Sequence, residues 1–407
     1  MSEWKDYYLG DVVDYKKGFA FKSNWYQRQG RYIVRVSDTT LNSINIASCN
    51  CISEELASQF EIYSLLKDDV IIATVGSWPN NPSSVVGKVV KVPNEANGAL
   101  LNQNAVRLRG NEKIDNKFLY YLLKSNQFSR YIVSKAQGSA NQASITLKDI
   151  IHYSFKAPEL EEQSLIANFL YALDDKIAVN RRICENLEAQ AQALFKHWFI
   201  DFAPFKNGQF VESELGMIPE GWRVGTLTDI LDNIKDTIKQ GDNTELPYLP
   251  IDSIPMKSFL VNEVKDNSEA QSSLILFKKY DILVGAMRVY FHRVVPAPFD
   301  GITRSTCFVL RPVVRDYYSF ALCCVNSNKA IQHAQKTSKG STMPYAVWEG
   351  GFGTFNIVIP PESVAREFDV LIKKDIEMIQ TTYFENLRLS TLRDTLLPKL
   401  MSGQIKV

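Results

Sequence analysis

The sequence predicts an α+β fold. Two repeated α+β domains are each followed by a long helix, and the two helices pair as an antiparallel coiled coil about a pseudo-two-fold axis. Three observations predict it. An unbroken heptad stripe runs through the middle of the chain. The chain repeats itself at a nearly constant offset. Short apolar runs bounded by turn residues mix with amphipathic stretches in both halves. The 407 residues suffice for two or three domains, and at 45% hydrophobic and 22% charged their composition is that of an ordinary globular protein.

The first globular part covers residues 1–159. It opens on Trp4, then Leu9, Asp11, Val12 and Asp14; the same series returns as Trp222, Leu227, Asp229, Ile230 and Asp232, at an offset of 218. The run Tyr32-Ile33-Val34 has a loose counterpart in Tyr248-Leu249-Pro250. Lys67-Asp68-Asp69-Val70-Ile71-Ile72-Ala73 is echoed by Lys279-Tyr280-Asp281-Ile282-Leu283-Val284-Gly285, each reading as a turn that feeds a buried strand. Ala105-Val106-Arg107-Leu108-Arg109 matches Cys307-Phe308-Val309-Leu310-Arg311 at an offset of 202, which also joins Gly138-Ser139 to Gly340-Ser341 and Pro158 to Pro360. Trp4 and Trp222 read as one core anchor per repeat.

The central helix covers 160–204. Ile166, Leu170, Leu173, Ile177, Asn180, Cys184, Leu187, Ala191, Leu194 and Trp198 alternate spacings of four and three, the a/d seam of a helix that needs a partner. Asn180 is a polar seam residue, either a register-setting device or a tolerated interruption. Asp201 to Gly208 supplies the Pro and Gly of a helix stop. The second globular part is 205–361. The second helix, within 362–407, carries Ile372, Ile376, Ile379 and Tyr383 on its seam; beyond them Leu387 and Leu389 compete for it.

Charge is local rather than global. The net charge is +1, from +4 over 1–159, −3 over 160–204 and zero over each of 205–361 and 362–407. The acidic central helix suits a spacer or a protein-docking surface better than a phosphate-gripping element. Six cysteines without CxxC spacing and four histidines argue against a metal site. The start of the chain has no apolar signal core and no apolar run reaches a membrane span, so a cytoplasmic location without membrane contact is expected. Catalytic signatures are missing as well. Pro360-Pro361 follows Ile359, and Asn81-Pro82 is followed by Ser83, so neither forms the Asn/Asp-Pro-Pro-aromatic loop of an adenine methyltransferase; no Walker A, HExxH or GxSxG sequence occurs.

Four stretches carry a family resemblance: Ala157-Pro158 with Glu162-Gln163-Ser164-Leu165-Ile166-Ala167; Ala193-Leu194-Phe195-Lys196-His197-Trp198-Phe199-Ile200-Asp201-Phe202; Glu214-Leu215-Gly216-Met217-Ile218-Pro219-Glu220-Gly221-Trp222; and Leu396-Leu397-Pro398-Lys399-Leu400-Met401-Ser402-Gly403-Gln404-Ile405. With these the chain resembles the specificity (S) subunit of type I restriction-modification systems. One departure is Ala365, where the first repeat has Gln163. The resemblance implies two target recognition domains that each read half of a bipartite double-stranded DNA site, and an antiparallel coiled coil that spaces them. It also implies docking of two adenine-N6 methyltransferase (M) subunits, with motor/endonuclease (R) subunits in the full complex. S-adenosylmethionine and ATP would then belong to those partners, and this chain would be non-catalytic, with no cofactor or metal. A protein-only scaffold with two interaction domains on a helical spacer is the competing reading.

Loops at equivalent points of the two repeats supply the candidate DNA contacts. In the first they are Lys17 and Lys22, then Ser77, Trp78 and Asn80, then Lys135, Ser139, Asn141 and Gln142. In the second they are Arg288, Tyr290 and Arg293, then Lys336, Lys339, Ser341 and Thr342. Lysine and arginine suit phosphates, Asn and Gln suit adenine edges, and aromatic rings suit stacking.

Overall fold

A computed structural model describes residues 4–78, 85–139, 142–239, 245–270 and 274–407. The chain forms two compact units, Met1–Lys176 with Leu389–Val407, and Ile177–Arg388, so each unit takes a segment of both long helices.

In the first unit a four-stranded antiparallel sheet is ordered Val13–Lys17, Ala105–Gly110, Val70–Ala73, Val89–Lys91. Val70–Ala73 is buried at every position, as an uninterrupted apolar run in a covered sheet should be. Helices Asn116–Lys124 and Asn126–Lys135 pack their apolar stripes, Phe118, Leu119 and Leu122 then Phe128 and Ile132, into the same core. Asp115 caps the first through the amides of Lys117 and Phe118, at 2.8 and 2.9 Å, and Ser125 caps the second through Phe128. A three-stranded sheet, Asn50–Ile52, Arg31–Val34 and Leu100–Leu101, accompanies them.

The second unit repeats this plan. Its four-stranded sheet runs Leu231–Asn233, Cys307–Pro312, Ile282–Gly285, Val294–Pro296, and its helices are Tyr318–Val325 and Asn328–Lys336. The loose match of Tyr248 to Tyr32 is corrected by one residue, because Tyr248 takes the ladder position of Ile33. Tyr248 bridges Ile302 in parallel and Lys265 in antiparallel sense, as Ile33 pairs with Leu100 and Asn50. One ion pair is also duplicated. Arg109 grips Asp69 with two bonds of 2.7 Å, and Arg311 grips Asp281 with two of 2.7 Å. Both carboxylates are buried and also cap a turn, accepting from the amides of Leu66 and Lys278. Lys5–Tyr8 pairs with Ser154–Ala157, and Arg223–Thr226 with Asn356–Ile359, so each globular part closes at the start of its helix.

The helices span Leu160–Phe195 and Glu362–Met401. In the first unit Ile166, Leu170 and Leu400 share a core and Asp174 holds Arg393 at 2.7 Å. In the second unit Ile177 is buried, Cys184 and Ala191 share a core with Phe368, Ile372, Ile376 and Ile379, and Tyr383 is buried. There the Asn180 amide donates to Asn386 Oδ1 and Glu385 Oε2, both at 2.9 Å. Partner numbers fall along one helix as they rise along the other, so within each unit the segments run antiparallel. Leu173, Leu187 and Leu194 are half-buried. Leu389 is half-buried whereas Leu387 is 46% exposed, but the spacing of Ile379, Tyr383, Asn386 and Arg393 carries the seam through the half-buried Ser390 rather than through either leucine. The central helix ends in the wider turn Lys196–Ile200, followed by Phe202 at φ +50°, where Phe199, Phe202 and Phe205 surround the Trp222 ring at 5.8, 5.5 and 5.0 Å. Trp4 lies against the other helix end: a Cβ on Gly403 would come within 3.0 Å of its indole.

Among the described residues no helix is long and apolar enough to cross a membrane and no group of three or more metal-ligand side chains forms. All six cysteines are free thiols.

Candidate nucleic-acid interface

The sheet register decides which loops meet. In the first unit Lys17 pairs with Val106 and Ala73 with Ala105, so two parallel-running strands end together and release their loops at one end of the sheet. The chain after Ala73 continues into Val75–Gly76, which pairs with Gln142–Ser144, itself paired with Gln137–Ser139. The predicted loops around Ser77 and Ser139 are thereby one small antiparallel sheet. The Trp78 indole donates to the Ser139 carbonyl at 2.8 Å and packs on the core of its own unit. Trp78 is therefore a strut whose ring edge is half-exposed. Gln137, Ser139, Gln142 and Ser144 remain exposed around the buried Ala143. Gly138 permits the close pairing, because a Cβ there would sit 2.0 Å from the Gln142 carbonyl oxygen.

Lys135 is exposed at the end of Asn126–Lys135, one residue before this hairpin, with its ammonium 5.5 Å from the Tyr131 ring. Lys17 is exposed at the sheet end. Lys22 is exposed too, but it leans on Trp25 at 5.4 Å, within the separate aromatic cluster of Phe19, Phe21 and Phe60. Asn80 and Asn141 lie outside the described residues.

The second unit assembles its loops the same way. After Ile282–Gly285, Met287 bridges Tyr345, and Tyr345 exchanges both backbone bonds with Lys339 at 2.9 Å. The Arg288 amide donates to the Pro344 carbonyl at 2.8 Å. Arg288 and His292 both take left-handed backbone conformations, at φ +50° and +53°. Such conformations persist where surroundings hold them. Here His292 Nε2 lies 2.8 Å from Asn326 Oδ1 and 3.0 Å from Asn326 O, so it must carry a proton to donate. Burial holds the His292 pKa below the usual histidine range, so the ring is a neutral anchor. Arg293 directs Nη1 at the carbonyls of Ile251 and Ile254 and so pins that turn. Arg288 and Tyr290 are exposed, as are Lys336, Lys339, Ser341 and Thr342.

The described side chains of each unit thus divide into anchors (Trp78, His292, Arg293) and free polar ends (Lys17, Lys135, Ser139, Gln142; Arg288, Tyr290, Lys339, Ser341, Thr342). Sequence reasoning left out Tyr345, which is 48% exposed and forms the hinge between the two loops of the second unit. Its positional counterpart is Ala143, so no shared residue type marks the site. Rigid backbone carrying exposed cations, hydroxyls, an amide and an aromatic ring can contact phosphates and base edges.

A family model described as "Type I restriction modification DNA specificity domain" matches residues 1–189. The MjaIX type I restriction enzyme specificity subunit of Methanocaldococcus jannaschii is 29% identical over 75% of this chain and 73% of its own length. The HindI type I restriction enzyme specificity subunit of Haemophilus influenzae is 21% identical over the full length of both. The crystal structure of a type I restriction-modification S subunit from M. genitalium superimposes with a TM-score of 0.57 at 17% identity, covering 98% of this chain and 96% of that one, which supports the fold.

Proposed function

We propose, from the premise that the chain belongs to the specificity subunits of type I restriction-modification systems, that each unit reads one half of a bipartite DNA site. The chain is non-catalytic, a DNA-specificity component. The observation that carries the reading is the duplication of a single device: in both units a strand-end loop is zipped to a hairpin that follows a helix, with cations and hydroxyls left outside. Two separate readers suit an asymmetric split target, and lysines placed beside polar readers suit phosphate contacts that position and base contacts that specify.

Partners complete the function. Two adenine-N6 methyltransferase subunits dock on the helices, and S-adenosylmethionine, and ATP where motor subunits join, are bound by those partners. Leu165 and Phe169 in the first unit, and Val179, Ile183, Val370, Leu371 and Met378 in the second, support this, because they leave helix faces apolar and exposed. The assembly works in the cytoplasm.

Co-expression with the methyltransferase subunit of the same system tests the reading. The assembled complex should methylate one bipartite sequence, in a salt-sensitive manner, and this chain alone should transfer no methyl group. Methylation of unrelated sequences, or assembly without sequence-specific binding, would refute it; the second result is what a protein-only scaffold gives.

A further inference from the structure

The second unit holds a cavity of about 290 Å³ far along its strands from the loops just described. It lies at the start of Ile282–Gly285, whereas the DNA-reading loop leaves the end of that strand. Lys278, Lys279, Arg315 and Lys373 line it, and none of these four makes an ion pair among the described residues. Tyr280 forms a wall between two of them, with the Lys279 and Lys373 ammonium groups 5.0 and 6.0 Å from its ring. Tyr318 lines the cavity as well, and its buried hydroxyl has no hydrogen-bond partner among the described residues.

The carboxylates present are already committed. Asp281 is held by both arms of Arg311 and by the Lys278 amide. Asp369 accepts from the Ser319 hydroxyl and amide, and Glu377 faces the Tyr280 hydroxyl at 3.4 Å. Five cations and two carboxylates, Asp281 and Asp369, line the recess, which leaves it with a formal charge of +3. Such an arrangement is self-repelling and favours an anion from outside.

The rim identifies the kind of anion. Val313 and Val314, between the lining residues Pro312 and Arg315, are 54% and 38% exposed, and Val370, next to Asp369, is 62% exposed. Covering these side chains stabilises only a ligand with apolar surface of its own. A sugar-phosphate backbone or a free phosphate has little to offer them, and the globular part around the cavity has no net charge to attract DNA in general. We infer that the cavity is a docking socket for an acidic segment of a protein partner, one that brings two or more carboxylates flanked by apolar side chains. This rests on the reading that a methyltransferase subunit docks on the second helix, which supplies Asp369 and Lys373 to the socket.

The first unit is built differently at the corresponding positions. Leu66, Lys67, Asp68, Lys113 and Tyr171 stand where Lys278, Lys279, Tyr280, Arg315 and Lys373 stand in the second. Two of those four cations are missing and an acid is added, while Lys91 and Lys117 hold their ammonium groups 3.7 and 4.4 Å from the Tyr171 ring, so the first unit draws its cations from other positions.

The test uses the full chain and the methyltransferase subunit of the same system, with the association constant measured at 50 and 300 mM salt. Lys279→Glu with Arg315→Glu, both exposed positions, should weaken assembly at the second site about 30-fold at low salt and flatten its salt dependence. Lys279→Gln with Arg315→Gln should lose less, about fivefold. Melting temperatures equal to wild type confirm that the fold is kept. If wild type assembles and the double reversal binds within twofold of it, the socket is refuted while the docking reading stands. Should wild type fail to assemble at all, both fall. If the reversal leaves assembly intact but weakens DNA binding by the complex, the cavity takes phosphates and the assignment to a protein partner is wrong.

Discussion

Replacing Gly138 by alanine perturbs the proposed interface of the first unit at the edge of its core, which it meets through Ala143. The added Cβ would stand 2.0 Å from the Gln142 carbonyl oxygen and 3.0 Å from the Ala143 Cα, both backbone atoms that cannot rotate away. An ordinary carbon–oxygen contact is over 1 Å longer, so Gln137–Ser139 and Gln142–Ser144 must part. Ladder bonds stretched by that amount leave hydrogen-bonding range. Losing about two of them costs about 2 kcal/mol. That corresponds to about 30-fold in affinity if the hairpin must re-form on DNA. The strands concerned are exposed apart from Ala143, so the global melting temperature should stay within a few degrees of wild type. In the assembled complex, specific binding should fall by this factor with an unchanged salt slope, because no cation is lost. Discrimination should relax in one half-site only. Specific affinity within threefold of wild type would show that this hairpin does not read DNA.

Other perturbations probe the scaffold. Asp69→Ala should destabilise the first unit by about 3 kcal/mol in chemical denaturation, because it strands Arg109 and the Leu66 amide, and Asp281→Ala should do the same in the second. Asn180→Leu should cost about 1–3 kcal/mol by leaving the buried Asn386 Oδ1 unmatched, while adding Asn386→Leu should recover most of it; a worse double variant would contradict the pairing. Burial pushes the Glu188 carboxyl up to about 7, where it accepts from the Phe259 amide at 2.7 Å and the Ser258 hydroxyl at 3.0 Å. Between its unfolded value near 4.5 and pH 7 the folded state holds the extra proton, so stability should fall as pH rises through that window. Melting curves at pH 5 and 7.5 should show up to about 3 kcal/mol of this slope, abolished in Glu188→Gln.

The α+β class was legible because its signals are local. A 3.5-residue period, a Pro/Gly helix stop and apolar runs each declare themselves within a dozen residues, and the recurrence of the pattern multiplied the evidence. The second helix was harder to read beyond Tyr383 for a physical reason. Its seam there carries Asn386 and Arg393, and these sit inward only because Asn180 and Asp174 meet them. A hydropathy pattern that expects apolar residues at those positions slips to Leu387. The pair Asp69–Arg109 was present in the repeated segments as an Asp and an Arg that return together as Asp281 and Arg311. Recurrence marked both residues, but only the sheet register shows that they touch.

The interface was legible in parts and not as a whole, for the same reason. Polar loops after buried strands stood out at equivalent places in the two repeats. Nothing in the sequence joins Trp78 to Ser139 across 61 positions, because that bond is made by strand order. Once Val75–Gly76 pairs with Gln142–Ser144, the indole N–H meets the Ser139 carbonyl, and a residue that composition offers as a base-stacking ring also serves as a support. Arg293 gains a second role in the same way, as Nη1 clamps the carbonyls of Ile251 and Ile254. Residue type therefore fixes what a side chain can bond, and topology decides which bonds it has left to offer. By that criterion the candidate reading residues of the proposed interface are Lys135 and Gln142 in the first unit and Arg288 and Lys339 in the second. Substituting these should relax sequence preference while substituting Trp78 or Arg293 should first lower stability.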